Sequence, residues 1–392
     1  MPLGLQKSTI WWFSTLLCFA CAHAHAQFQG PKISNVDLRD YGWQPLPKQQ
    51  HGQHGERPGT RSPSISIDHN GRVLVGFTTR ENLSLATRER PGLSFRILRF
   101  TVPEKLDRSL VLPTNNYFTN GFYLGSKDHI LARANDALQV LSEQDEEGET
   151  RKADANWQPL ASCPINCEIS YSFSRRTLIL RTSARPFSFD NLTYTILDTS
   201  AFPVRVVHTC SQMAHYGEKI TDKFAYWDGS EGRERFTRRF PFCDVDHSEE
   251  FLWTWGAGFF PLSDDAFLLL GSDKGSGGVV KLVGSDGRIK FQHAMPKKND
   301  VPQYYVGFWA TSDERGDRFA FIVDTWHSGS RFFDISGKLI ARRIVVYSDT
   351  GQELATFSVS TAYHRDFDFA LSPDGHRLAI LEEGIVTIAD IK

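Results

Sequence analysis

Three things are missing from this 392-residue chain. Charge of one sign is not in excess, since 44 Lys and Arg face 46 Asp and Glu for a formal net charge of −2. That balance gives no electrostatic reason to expect nucleic acid as a partner, because phosphate binding needs a basic field. No apolar run reaches the ~20 residues that cross a bilayer, the longest being short and at the extreme N-terminus, so no membrane span is expected. Amphipathic helical periodicity is nearly absent beyond that run. Collagen, coiled coil and integral membrane protein are thereby excluded. With 40% hydrophobic and 23% charged residues, the composition is that of a folded chain rather than a disordered one.

Signatures of chemistry are missing too. There is no G-x-S-x-G elbow, P-loop, H-E-x-x-H helix or C-x-x-C-H haem motif, and neither a sialidase-type Asp box nor a quinone-docking repeat. The Gly-rich Gly271–Gly278 lacks the strand-to-helix context of a phosphate cradle and reads as a hairpin loop. No cofactor and no metal are expected.

What is present starts with an export signal. Lys7 supplies a positive start, Ile10–Ala22 is an apolar run of 13 residues, and Ala24-His25-Ala26 is a small-x-small cleavage pattern. The expected division is a signal peptide over 1–26 and a single domain over 27–392, in a periplasmic or secreted protein. Cys21 raises the alternative of lipidation, but Cys18 stands where a lipobox has an aliphatic residue. Cleavage leaves Cys163, Cys167, Cys210 and Cys243, an even number in an oxidising compartment. Of three possible pairings, Cys163–Cys167 with Cys210–Cys243 is preferred because near neighbours meet most easily. A zinc site is the rival, without a C-x2-C knuckle to support it, and free buried thiols are the third reading. Asn82-Leu83-Ser84 and Asn191-Leu192-Thr193 are glycosylation sequons.

The body of the chain repeats. Seven times a turn signal rich in Asp, Gly and Ser runs directly into a β-rich segment, starting at Arg72, His129, Arg176, Lys223, Ala266, Arg318 and Arg377, at intervals of 43 to 59 residues. Each interval accommodates a four-stranded antiparallel unit, and runs apolar on both faces suit strands sandwiched between sheets. The expected fold is therefore all-β, a seven-bladed β-propeller of four-stranded antiparallel sheets. The last unit lacks a strand, and Tyr41–Leu46 is the expected N-terminal strand that fills the vacancy and closes the ring. Its WQPL recurs at Trp157–Leu160, the expected outer strand of the second unit. A two-sheet β-sandwich is the structural rival. Residues 48–63, polar and rich in Gly and Pro, read as a flexible crossing loop, in which a solvated linker outweighs a weak metal site at His51 and His54. Asp145–Glu149 reads as a solvated hairpin tip.

Phe367–Ile380, FDFALSPDGHRLAI, resembles the SPDG-type repeat of WD-repeat-like propellers such as TolB and related secreted or periplasmic proteins, and Ser62–Phe77 and Ala310–Val323 are degenerate versions of it. The resemblance implies the fold and carries no activity, since propellers host binding modules, scaffolds and enzymes alike. In such a ring, residues just before the innermost strands surround one channel mouth. Those positions hold Tyr216, Trp253, Trp255, Tyr304, Tyr305, His364, Arg365 and Asp366, a set suited to an anionic or carbohydrate-like group through charge-assisted bonds and stacking. The competing reading has the aromatics packing between blades and Arg365–Asp366 as a structural pair. His208, His215, His247 and His327 read as ordinary histidines. The expected function is an exported, non-catalytic binding or interaction module whose partner is a protein or a small, carbohydrate-like ligand. The alternative is a propeller-type hydrolase or lactonase working at the channel mouth.

Overall fold

The computed structural model describes residues 33–44, 64–80, 92–101, 105–114, 120–141, 157–164, 167–171, 176–183, 192–200, 202–212, 219–220, 225–230, 234–240, 247–252, 258–263, 266–272, 278–284, 288–294, 303–326, 339–361 and 367–392. All of them belong to one compact unit, Ile33–Lys392. No helix among them is long and apolar enough to cross a membrane.

The described chain is built of β-strands. After β1 (Ile33–Asp37), the first sheet takes β2 (Ile65–Ile67), β3 (Val73–Arg80), β4 (Leu93–Thr101) and β5 (Lys105–Thr114). The second has β6 (Gly121–Leu124), β7 (Ile130–Ala134), β8 (Ala137–Leu141) and β9 (Trp157–Ser162). The third has β10 (Glu168–Tyr171), β11 (Thr177–Thr182), β12 (Leu192–Asp198) and β13 (Arg205–Gln212). The fourth has β14 (Lys219–Ile220), β15 (Ala225–Ser230), β16 (Glu234–Phe240) and β17 (His247–Leu252). The fifth has β18 (Gly258–Ser263), β19 (Ala266–Ser272), β20 (Gly278–Gly284) and β21 (Ile289–Ala294). The sixth has β22 (Gln303–Ser312), β23 (Arg318–Trp326), β24 (Leu339–Ser348) and β25 (Glu353–Val359). The seventh has β26 (Phe367–Leu371), β27 (Arg377–Glu382) and β28 (Ile385–Asp390), with β1 added at its edge. Each sheet is an antiparallel meander, and each β-rich run that follows a turn signal becomes its second strand.

Burial explains why those second strands are apolar on both faces. All of β7 is buried, as are the four central residues of β27, whereas the last strand of a sheet, such as β9 or β25, is largely open. A strand covered on two sides needs apolar residues at every position rather than at alternate ones. The covering comes from neighbouring sheets. One core joins the fifth and sixth sheets through Leu268, Phe319 and Phe321, and another joins the sixth and seventh through Ile322, Phe369 and Ile380. A third joins the seventh and first through Val73, Ala379 and Ile388. Two more link first to second, through Phe95 and Phe122, and second to third, through Leu131 and Leu178.

The expected closed seven-bladed propeller is corrected here. The sheets are discrete four-stranded units, none is closed on itself, and no strand is shared between two of them. Where side chains are described, the cores join the fifth sheet to the sixth, the sixth to the seventh, the seventh to the first, the first to the second and the second to the third. Turn spacing counts sheets; closure of a ring depends on packing between sheets far apart in sequence, which spacing does not encode.

The strand at the N-terminal end is also corrected. Ile33–Asp37, not Tyr41–Leu46, lies antiparallel to β28, from Ile33 opposite Ala389 to Asp37 opposite Ile385. Tyr41 instead ends a 3-10 turn, Leu38–Tyr41, capped by the Asp37 carboxylate and stopped by Gly42 at φ 90°. Trp43 then lies against Gly384, whose φ of 80° and lack of a side chain leave room for the indole. The crossing loop at 48–63 and the tip at Asp145–Glu149 lie outside the described residues.

Candidate functional site

Among the described residues, the turns between first and second strands carry charged side chains that touch across sheets. In the first sheet the turn is Asp68-His69-Asn70-Gly71-Arg72, in the sixth Asp313 to Arg318, and in the seventh Ser372-Pro373-Asp374-Gly375-His376-Arg377. Each is closed by a backbone N–H donating to the carbonyl of the arginine that opens the next strand: Asp68 to Arg72, 3.0 Å; Asp313 to Arg318, 3.0 Å; Ser372 to Arg377, 2.8 Å. The first residue also accepts through its side chain. Asp68 Oδ1 takes the N–H groups of Asn70 and Arg72 at 2.9 and 2.8 Å, and Ser372 Oγ takes that of Arg377 at 2.9 Å. These local bonds are why Asp or Ser begins each turn.

The arginines then reach the next sheet. Arg318 Nη1 donates to the Gly375 carbonyl at 3.1 Å, and Arg377 Nη1 to that of Gly71 at 2.8 Å. The two receiving glycines have φ 73°, and a Cβ there would meet the incoming arginine. Arg72 turns instead to Asp68 at 2.6 Å, inside its own turn.

One side chain joins three sheets. His69 Nδ1 lies 2.9 Å from Asp128 Oδ1 of the second sheet's turn, and Nε2 lies 2.8 Å from Glu314 Oε1 of the sixth. The His69 backbone N–H also donates to Asp128, 3.2 Å from each carboxylate oxygen. The Glu314 N–H meets the Pro373 carbonyl of the seventh sheet at 3.1 Å. Beside Glu314, Asp313 is only 3% exposed, and burial pushes its carboxyl up to about 6 despite the N–H donated by Arg318. His69 stands between its two carboxylates, each holding a different ring nitrogen. No group of three or more His, Cys, Asp or Glu among the described residues is arranged to hold a metal ion.

Of the eight residues expected at a channel mouth, Tyr304 and Tyr305 alone lie among the described residues. Tyr216, Trp253, Trp255, His364, Arg365 and Asp366 lie outside the described residues. Tyr304 and Tyr305 stand in β22, opposite Thr325 and Asp324 of β23. With no closed ring among the described sheets, the expected central-channel and face sites lose their host, and the readings of a channel-mouth binding module or a channel-mouth enzyme are corrected with it. Cys163 and Cys167 form a disulfide within the core between the second and third sheets. Cys210 is disulfide-bonded as well; its preferred partner, Cys243, lies outside the described residues. Of the histidines read as ordinary, His208 is exposed on β13, and His215 and His327 lie outside the described residues.

His69, Asp128 and Glu314 were not among the sequence candidates. All three sit in the repeated turn segments DHNG, GSKD and SDERGD, so the turn was legible while its reach across sheets was not. No protein family and no curated protein matches the chain. Among solved structures, a chain of "Crystal Structure of Mitotic Checkpoint Complex" is similar at 12% identity, covering 88% of this chain and 98% of that one, with a TM-score of 0.43. That likeness is too slight to transfer a fold or a function. The resemblance to TolB-type, WD-repeat-like proteins is corrected: no family model or curated protein supports it, and the described sheets do not form their ring.

Proposed function

We propose that this protein is exported and has a structural, non-catalytic role in an oxidising compartment, its sheets braced by disulfides and by charged turn residues. The observation that carries the reading is the engagement of His69. Both ring nitrogens are occupied by carboxylates of other sheets, which leaves no nitrogen for a substrate proton. Arg318 and Arg377 support it, since both guanidinium groups reach the backbone of a neighbouring turn. The disulfides at Cys163–Cys167 and Cys210 suit an extracytoplasmic location, where such bonds persist.

Two measurements test this. Intact mass of the protein recovered from its native host should correspond to a chain starting at Gln27 with its cysteines oxidised; a chain retaining residues 1–26 with free thiols would refute export. A panel of ester, lactone and glycoside substrates should show no turnover. Turnover that disappears in His69→Gln while the variant stays folded would refute the structural role.

A further inference from the structure

The hydrogen-bond inventory of His69 makes its grip depend on protonation. A neutral imidazole has one N–H and one lone pair; only the imidazolium donates from both nitrogens. Here both nitrogens face carboxylate oxygens, at 2.9 and 2.8 Å. The two bonds are not equally backed. Asp128 is held a second time by the His69 backbone N–H, whereas among the described residues the Glu314 carboxylate bonds only the ring. A neutral ring that keeps Nδ1–H on Asp128 therefore turns a lone pair toward Glu314.

We propose that the sixth sheet's Asp313–Arg318 turn is docked by a proton-dependent clasp, gripped through Glu314 while the His69 ring carries two protons and released when it carries one. On release the proton goes to solvent and the Glu314 carboxylate is left facing a lone pair.

The charged neighbours set the sign. On the first sheet, Asp68 is already occupied by its own turn and by Arg72. On the second, Lys127 and His129 flank Asp128. On the sixth, Asp313, Arg315, Asp317 and Arg318 flank Glu314, and buried Asp313 titrates near pH 6, so rising pH loads this same turn with a second anion. On the seventh, Asp374, His376 and Arg377 occupy the turn whose Pro373 carbonyl receives the Glu314 N–H. There His376 Nδ1 stands 3.2 Å from Arg318 Nη1 and 3.4 Å from the Ile391 carbonyl. The His69 grip and the Asp313 carboxyl both favour the docked turn in acid.

Hydrogen exchange of the full chain, corrected for intrinsic chemical exchange, tests the clasp at the Glu314 and Gly316 amides, which donate to Pro373 and Asp313. Protection should fall about tenfold between pH 5.5 and pH 8, the size of losing one charge-assisted hydrogen bond. Glu314→Gln should remove the difference, because an amide can donate to a lone pair or accept from an N–H. His69→Gln should remove it as well, and should that variant not fold, Glu314→Gln carries the test. Asp313→Asn should keep most of it. Equal protection of the wild type at both pH values, or a full response surviving in Glu314→Gln, would overturn the clasp. So would a response abolished by Asp313→Asn, since the buried carboxyl would then be the titrating group.

Discussion

Gly76, in the middle of β3, shows how tightly single positions are constrained. A Cβ there would come within 2.7 Å of the Phe122 ring and 2.8 Å of Phe95, two aromatics of the core between the first and second sheets. Gly76→Ala should therefore destabilise the fold by about 1–3 kcal/mol through overpacking, although alanine is the better strand residue. Equilibrium urea unfolding measures it. At Asp313 the expectation concerns pH. Its carboxyl is raised from an ordinary 3.8 to about 6 by burial, so between those values the folded chain holds a proton that the unfolded chain has lost. Stability from this group is present below about pH 4, falls as pH rises to about 6, and is level above, a loss of about 3 kcal/mol at most. Asp313→Asn should flatten that portion of the stability–pH curve in thermal melts. A curve with the wild-type slope would show that another group titrates.

At the scale of elements, the repeated turn is the device that joins one sheet to the next. The Asp or Ser at its start, the glycine with φ 73° and the arginine at its end form a local unit, and these are the residues that a turn and strand reading picks out. Their second role, the arginine of one sheet donating to the glycine carbonyl of the next, is not written in local sequence. Arg377→Ala should cost about 1–2 kcal/mol, because it deletes a charged donor to Gly71 and leaves that carbonyl to water. Arg377→Lys should recover only part of this, since an ammonium cannot hold Asp390 and Gly71 in the fixed fork a guanidinium provides. For the cysteines, non-reducing peptide mapping should recover Cys163–Cys167 and link Cys210 to Cys243.

For the whole molecule, the pairing of β1 with β28 ties together segments about 350 residues apart in sequence. Leu38 adds a 2.7 Å bond to the Gly384 carbonyl, and Val36, Leu38 and Trp43 complete the core shared by the seventh and first sheets. Deleting residues 33–37 leaves the outer edge of β28 unpaired, while its ladder with β27 remains, and uncovers Val386 and Ile388. It should lower unfolding free energy by about 3 kcal/mol or more. Deletion that leaves the urea midpoint unchanged would mean that the terminal strand adds nothing to the fold. The N-terminal strand was misplaced on sequence because Tyr41–Leu46 repeats a motif of β9, whereas Ile33–Asp37 carries no such mark. Partner choice between strands rests on hydrogen bonding and packing across the molecule.

By itself, the amino-acid order determined the all-β composition, the start of the second strand in most of the sheets, the turn residues and the bond between Cys163 and Cys167. All of these follow from local rules: apolar runs, turn chemistry and chain proximity. Tertiary structure alone decided which terminal segment pairs with β28, in what series the sheets share cores, and that His69, Asp128 and Glu314 meet. Those outcomes depend on contacts between distant segments, from the His69 bonds spanning 59 and 245 residues to the β1–β28 pairing of about 350, and no local window of sequence contains both partners.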